Sequence, residues 1–206
     1  MLSDAQLERY SRQVVLPEVG GRGQARLLRA RVAVAGSGSA ASTAATLLGR
    51  AGVGALDLVR GPRSLPELSP DCRLARSGDL TDPADVIVHL SADRALAAAL
   101  GRRAQAAGRP FVLGTLAGSW IAVATLVGRP CSACLPREET AAHRAGGPLG
   151  APAALALGAL AASEALRVLL APAPHGRRTA FDLDAGTCEA SELVPSGGCT
   201  LCGGSG

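Results

Sequence analysis

Two cysteine pairs, Cys131-Ser-Ala-Cys134 and Cys199-Thr-Leu-Cys202, constrain this chain more than any other feature. Each C-x-x-C turn can present two sulfurs to one ion, and zinc takes four thiolates at the corners of a tetrahedron. The 64 residues between Cys134 and Cys199 are too many for a small zinc finger. A shared metal would instead clip the end of the chain to its middle, and its binding would offset the entropy of closing so long a loop. Three other states compete. They are reduced thiols, disulfides that a cytosolic chain rarely keeps, and a redox C-x-x-C for which one pair would suffice. Two matched pairs favour a closed structural zinc site. Cys72 and Cys188 have no such neighbours and read as small apolar fillers.

At 206 residues the chain is expected to form one domain with a substantial core. Its first 15 residues are polar and charged, so no signal peptide is expected. The longest apolar stretch, Gly150 to Leu170, meets Glu164 and Arg167 after about 13 uncharged residues and reads as a buried core helix, not a bilayer span. The expected setting is cytoplasmic, without a membrane. The net charge is +4, but the arginines are scattered, and one Trp, one Tyr and two Phe offer little for base stacking. Nucleic-acid binding is therefore not expected. All 21 basic residues are arginine, so no chemistry here can use a lysine.

Ser3 or Asp4 can cap a short N-terminal helix, which Arg9 to Leu16 continue as a basic-apolar arm. Gly20, Gly21 and Gly23 are expected to break the chain before a short helix from Gln24 to Arg29. Arg31 to Gly36 reads as a strand entering a glycine turn, Ser39 to Gly49 as an alanine-rich helix, and Gly54 to Val59 as a second strand. That order is a βαβ unit and calls for a parallel sheet. Gly61 to Asp82, with three prolines and little periodicity, reads mostly as loop. A strand at Asp85–His89, a helix at Ala92–Ala107 and a short strand at Pro110–Leu113 follow. Thr115 to Val127 suggests a hairpin or a bent extended pair. The helix from about Pro152 to Leu170 and a last hairpin, Arg178–Leu183 with Thr187–Val194, complete the pattern. The fold class is thus α/β and mainly parallel, with an antiparallel C-terminal part. Within residues 1–206 the divisions are an arm over 1–30, a nucleotide-binding-type core over 31–128 and a zinc-clipped part over 129–206. The glycine-rich tail from Gly203 to Gly206 is expected to be disordered.

Gly36-Ser37-Gly38-Ser39-Ala40-Ala41 fits G-x-G-x-x-A between a strand and a helix. Gly36 permits the tight turn, Gly38 lets a phosphate approach backbone N–H groups, and the helix N-terminus adds partial positive charge. Ala41 takes the third position of the motif. A ribose site of this type has an acidic residue at the end of the second strand, yet Arg60 stands there and Asp57 lies inside the strand. Arginine at that point suits a ribose 2′-phosphate, which keeps an NADP-type site open. The alternative is a strand–helix turn that binds nothing.

Arg9-Tyr-Ser-Arg-Gln13, Leu16-Pro-Glu-Val-Gly20 and Gly23-Gln24 resemble the opening of the ThiF/MoeB/HesA family, bacterial relatives of ubiquitin-activating enzymes. The resemblance continues through the Gly36 turn, Ala51-Gly-Val-Gly54, both cysteine pairs, Gly147-Pro-Leu-Gly150, Glu164-Ala-Leu166 and Phe181-Asp182. It implies a Rossmann-like sheet, a homodimer-like assembly and a four-cysteine zinc clip. It also implies ATP-dependent adenylation, with magnesium, of the C-terminal glycine of a ubiquitin-like or sulfur-carrier protein ending in Gly-Gly. Positioning and charge neutralisation run such chemistry.

Several of the groups that the family uses have no counterpart here. Val59-Arg-Gly-Pro62 replaces an acidic cluster, and the loop and helix carrying an Asn, an Arg and a Lys shrink to Pro62–Leu80, where Arg73 or Arg76 could substitute. Ser91-Ala92-Asp93 falls where the family has Thr-Asp-Asn. The metal-binding aspartate becomes Ala92, or Asp93 after a one-residue slip. His143 aligns with a conjugating cysteine and reads as a base or as a solvated loop residue. Arg12 matches an arginine that reaches across the family's dimer to the partner's nucleotide, or else it pins the arm. These departures imply a degenerate partner subunit in a homodimer or heterodimer. The alternatives are an adenylyltransferase rebuilt on Arg73, Arg76 and Asp93, an NADP-binding module, or a scaffold.

Overall fold

A computed structural model describes residues 2–81, 83–135, 148–171, 176–196, 198, 199 and 202. His143, Gly147 and the Gly203–Gly206 tail lie outside the described residues.

The chain opens with α1 (Asp4–Arg9), where Ser3 and Gln6 form a reciprocal capping box, and a short turn of helix α2 (Ser11–Val14). α3 runs over Gly20–Leu27, so the glycines expected to break the chain lie within a helix. Packing explains the difference. A Cβ on Gly23 would stand 3.0 Å from Leu170, so a small residue lets α3 lie close to the end of α6 (Gly150–Leu170). Arg26 donates to the Leu170 carbonyl at 2.7 Å and satisfies an otherwise open end of α6.

β1 (Arg31–Ala35), α4 (Ser39–Arg50) and β2 (Ala55–Val59) form the expected βαβ unit. The segment read as loop contains β3 (Arg73–Ser77), parallel to β2. β3 is an edge strand with both arginines in solvent, so it shows no apolar alternation, and pairing with β2 holds it in place. β4 (Val86–His89) and α5 (Arg94–Ala106) follow as expected. β5 (Phe111–Ala117) and β6 (Trp120–Leu126) form one hairpin about Gly118, which has φ 64°, and Pro110–Leu113 is the start of its first strand. β7 (Gly176–Asp182) and β8 (Thr187–Leu193) make the last hairpin.

All eight strands join one sheet in the order β3-β2-β1-β4-β5-β6-β7-β8. The first five are parallel and the last three antiparallel. Alternation divides the buried side chains between two faces. Val32, Val34, Leu56 and Val88 meet α4 and α6, whereas Ala33, Ala35 and Ile87 meet α5. α6 is long and apolar enough by itself to cross a bilayer, but Ala153, Leu157, Gly158, Ala161 and Ala165 bury its inner face. A Cβ on Gly158 would run into the Ala40 carbonyl of α4, so this glycine sets the helix spacing. Buried Glu164 accepts from Thr125 at 2.6 Å and binds Arg167 and Arg177, which ties α6 to β6 and β7. Arg177 first, then Arg167 and Thr125, outweigh the cost of burial and pull the Glu164 carboxyl down to about 2.

Candidate functional site

Neighbouring strands β1 and β4 send their chains to opposite sides of the sheet, which opens a crevice at their carboxyl ends. Gly36 turns there with φ 128°, and a Cβ on it would stand 2.6 Å from the Leu90 carbonyl, so only glycine fits. Gly38 is the extended N-cap of α4, and no side chain caps that helix. A cavity of about 750 Å³ begins at Gly38, Ser39 and Ala40 and extends over β4 and β5 toward the cysteines. Ala41 is fully buried behind the turn and does not reach it.

The cavity is one-sided: no residue of β2, β3 or their connection lines it. On that side Arg60, held at φ 48°, donates to Asp93 at 3.0 Å and to the Gly78 carbonyl at 3.1 Å. Asp93 also accepts from the Leu96 N–H at 2.9 Å, as the N-cap of α5, so each carboxylate oxygen has a partner. The candidate magnesium ligand and the candidate ribose or 2′-phosphate ligand thus hold each other. Asp57 lies inside the strand as expected and forms a two-bond ion pair with Arg31 at 2.5 and 3.0 Å.

Arg73 and Arg76 do not gather at the turn. Arg73 is level with Ala55, as Arg31 is, at the amino end of the strands, whereas Gly36 follows their carboxyl end. Five residue steps separate those levels, about 16 Å. Arg76 donates to the Pro62 carbonyl at 3.4 Å.

Groups that motif reading missed lie on the open side. His89 ends β4 at 1% exposure, lines the cavity and accepts or donates through Nε2 to Ser91 at 3.1 Å, while its Nδ1 has no partner among the described residues. Burial pushes the imidazole below its usual range, with the Asp93 charge pulling the other way. Arg94 and Arg102 also line the cavity, are exposed, and make no hydrogen bond or ion pair among the described residues. Their spacing through Ala98 is i, i+4, i+8 on a segment already read as helix, and that was the available signal.

The far wall is the cysteine cluster. Cys131 and Cys134 flank a 3₁₀ turn, and their sulfurs lie 3.5 Å from Cys199 and 3.3 Å from Cys202. All four sulfurs fall within 4.8 Å of one another. Zinc–sulfur bonds of about 2.3 Å in a tetrahedron separate the sulfurs by about 3.8 Å, so the cluster fits a metal ion after small adjustments. A disulfide needs about 2.05 Å and is not formed. Without a cation, burial and then the hydrogen bond with Cys134 push the Cys202 thiol up to about 12. A thiolate-binding ion removes that conflict. Cys72 packs half-buried against the core as a filler does, and Cys188 is exposed on β8, so the filler reading fails there.

At the other end, Asp71 latches the N-terminal arm. It accepts from Gln6 at 3.0 Å, Arg9 at 2.8 Å and Tyr10 at 3.0 Å, while the Tyr10 hydroxyl also meets Ser69 at 2.6 Å. Gln6 first, then Tyr10 and Arg9, hold the Asp71 carboxyl below its usual range against the cost of burial. Two residues beyond this latch, Arg12 is exposed and makes no hydrogen bond or ion pair among the described residues.

Comparison with known proteins places these features. The ThiF family model matches residues 10–59, from the arm to the end of β2. Over 60 residues the chain is 53% identical to the heterocyst HesA protein of Trichormus variabilis, which is 29% of this chain and 22% of that protein. It is 52% identical over 58 residues to the adenylyltransferase and sulfurtransferase MOCS3 of Bos taurus, 28% of this chain and 13% of that protein. The matched segment thus spans less than a quarter of either curated relative. The fold extends further: Escherichia coli MccB superposes with a TM-score of 0.74 over 96% of this chain and 72% of its own, at 14% identity. The chain carries a ThiF-family segment within a fold of the MccB kind.

Proposed function

We propose that this chain is a ThiF-type protein of the class that adenylates the C-terminal glycine of ubiquitin-like or sulfur-carrier proteins, and that it serves as a partner subunit in place of a self-sufficient enzyme. The carrying observation is the Arg60–Asp93 pair, which occupies the β2 side of the glycine turn, while the cavity opens only over β4 and β5. The similarity to MOCS3, an adenylyltransferase and sulfurtransferase, supports the reaction class.

Gly36, Gly38 and the uncapped start of α4 fit a phosphate. No lysine, no free acidic pair after β2 and no unengaged Asp93 accompany them, so the residues for magnesium and ribose do not fit, and no adenylation step is assigned to this chain alone. Zinc in the four-cysteine clip supplies a closed structural site and no catalysis. We take residues 1–206 as one cytoplasmic domain, and Arg12 as delivered to the nucleotide of another subunit, where an arginine finger can be worth about 10³-fold in rate. A dimer with an intact relative uses Arg12, whereas a homodimer of two such sites does not.

Titration of the isolated protein with ATP–magnesium and with NADPH, and ATP–pyrophosphate exchange with a carrier ending in Gly-Gly, are expected to be flat. Mixed with an active relative, the protein should form a complex in which Arg12→Ala slows adenylation and leaves assembly intact. Robust exchange by the isolated chain overturns the partner reading, and loss of assembly in Arg12→Ala makes the arginine structural. Tight NADPH binding would favour the NADP-binding module instead.

A further inference from the structure

We propose that the cavity binds the free carboxyl terminus of a peptide or protein whose last two residues are apolar and which carries an acidic side chain three or four positions upstream. This deepens the carrier-binding reading above and rests on it, but it departs from a Gly-Gly tail.

Two cations with no partner among the described residues define the ends of the cavity. Arg94, in the first turn of α5, stands beside the Ser91 and His89 wall near the glycine turn. Arg102 lies two turns on, next to Gly101, where a Cβ would stand 2.5 Å from the Ser132 hydroxyl, so it sits against the cysteine turn. Eight helical residues separate them, about 12 Å. Between the two, the walls are apolar: Ala97 and Ala98 of α5, Leu113 of β5, Leu135 after the cysteine turn and Leu157 of α6.

A glycine pair would leave those walls without contacts, whereas two aliphatic side chains would remove them from water. The anionic end belongs at the inner site. There the uncapped N-terminus of α4, Arg94 and buried His89, whose Nδ1 has no partner among the described residues, all line the cavity. A carboxylate at that point gains charge-assisted hydrogen bonds in a partly dry setting. An extended chain advances about 3.3 Å per residue, so 12 Å brings the residue three or four positions upstream to Arg102. An acidic side chain there meets the second guanidinium.

The probes are four N-terminally fluorescein-labelled hexapeptides, read by fluorescence anisotropy up to millimolar protein. They are Gly-Ser-Glu-Ala-Leu-Leu as the free acid, its C-terminal amide, the Gln-for-Glu form, and Gly-Ser-Glu-Ala-Gly-Gly. The free acid is expected to bind best. The amide should bind about 10-fold or more weakly, since a charge-assisted hydrogen bond is lost, and the Gly-Gly form about 10-fold more weakly. The exposed Arg102 contact predicts a smaller, roughly 3-fold loss for the Gln form. Arg94→Gln should erase the acid–amide difference and Arg102→Gln the Glu–Gln difference, with circular dichroism unchanged. Tighter binding of the Gly-Gly peptide overturns this proposal and leaves the carrier reading standing. Equal binding of acid and amide overturns the proposal, and so does indifference of the binding to both arginine variants. No saturable binding of any free acid by the folded protein sinks this proposal, whereas the partner reading falls only on the exchange and mixing experiments above.

Discussion

On the β2–β3 side of the glycine turn, charged groups satisfy one another: Arg60 with Asp93, and Asp57 with Arg31. On the β4–β5 side they are left open: Arg94 and Arg102 have no partner among the described residues, His89 keeps an orphaned nitrogen, and the wall between them is apolar. Both sides flank the same turn and the same helix N-terminus. The difference shows that one phosphate-type turn can carry satisfied charges on one side and open ones on the other. Binding capacity lies where polar groups near a cavity have not already found partners.

The sharpest way to separate the two sides is to remove the metal, because Ser132, Ala133 and Leu135 of the cysteine turn form part of the open side only. Cys199→Ser or chelation should abolish binding of about one zinc ion per chain, lower the thermal midpoint by about 10 °C or more, and eliminate peptide binding. Hydrogen exchange in β1, β2 and β3 should stay protected near room temperature. If those strands lose protection at the same step, the two sides are not independent.

The Glu164 cluster supports the open side from behind, since Leu157 of the same helix lines the cavity. Glu164→Ala leaves Arg167 and Arg177 without their carboxylate and should cost about 3–5 kcal/mol by urea unfolding. The carboxyl is held down to about 2 from 4.5, so its contribution is fully present above about pH 4.5 and is lost as pH falls toward 2. In the wild type that loss amounts to about 3 kcal/mol. The variant should lack this part of the acid dependence, and an unchanged acid profile would place the titrating group elsewhere.

The smallest effect belongs to the closed side. The Arg60–Asp93 pair is solvent-exposed, at 57% and 41% of the two side chains, so Arg60→Ala should cost less than about 1 kcal/mol. Asp93→Ala should cost about 1 kcal/mol because it also removes the α5 cap, whereas Asp93→Asn keeps a capping side chain. If Arg60→Ala costs more than Asp93→Ala, the pair is a structural keystone, and the contrast between the two sides is wrong in its weaker half.

Much of the framework was legible because local signals agreed with the final packing. The β1–α4–β2 unit has two buried strands around a glycine that only a tight turn requires, and α6 has a continuous apolar run. The cysteine pairs carried their own spacing. β3 escaped because an edge strand needs only one hydrogen-bonding neighbour, and its exposed arginines mask any alternation. Gly23 of α3 misled because its value lies in close approach to Leu170, more than 140 positions away in sequence. The candidate site was legible in its parts and illegible in its grouping. Arg60, Asp93, Arg73 and Arg76 each suit anions or metals as residue types. Only the strand order shows that two of them neutralise each other and that Arg73 sits at the opposite end of the sheet. His89 gave no motif at all, since its orphaned nitrogen follows from burial alone.

The Asp71 latch has an entropic consequence. Residues of a free arm would each lose conformational freedom on docking, at roughly 1–2 kcal/mol apiece. Three side chains of this arm are already held by one carboxylate, so Arg12 projects from a segment that is ordered before any second molecule arrives. The association proposed above would then have little left to order, and the complex would owe part of its stability to a contact that lies wholly within one chain. Loosening the latch would weaken assembly without touching a single intermolecular bond.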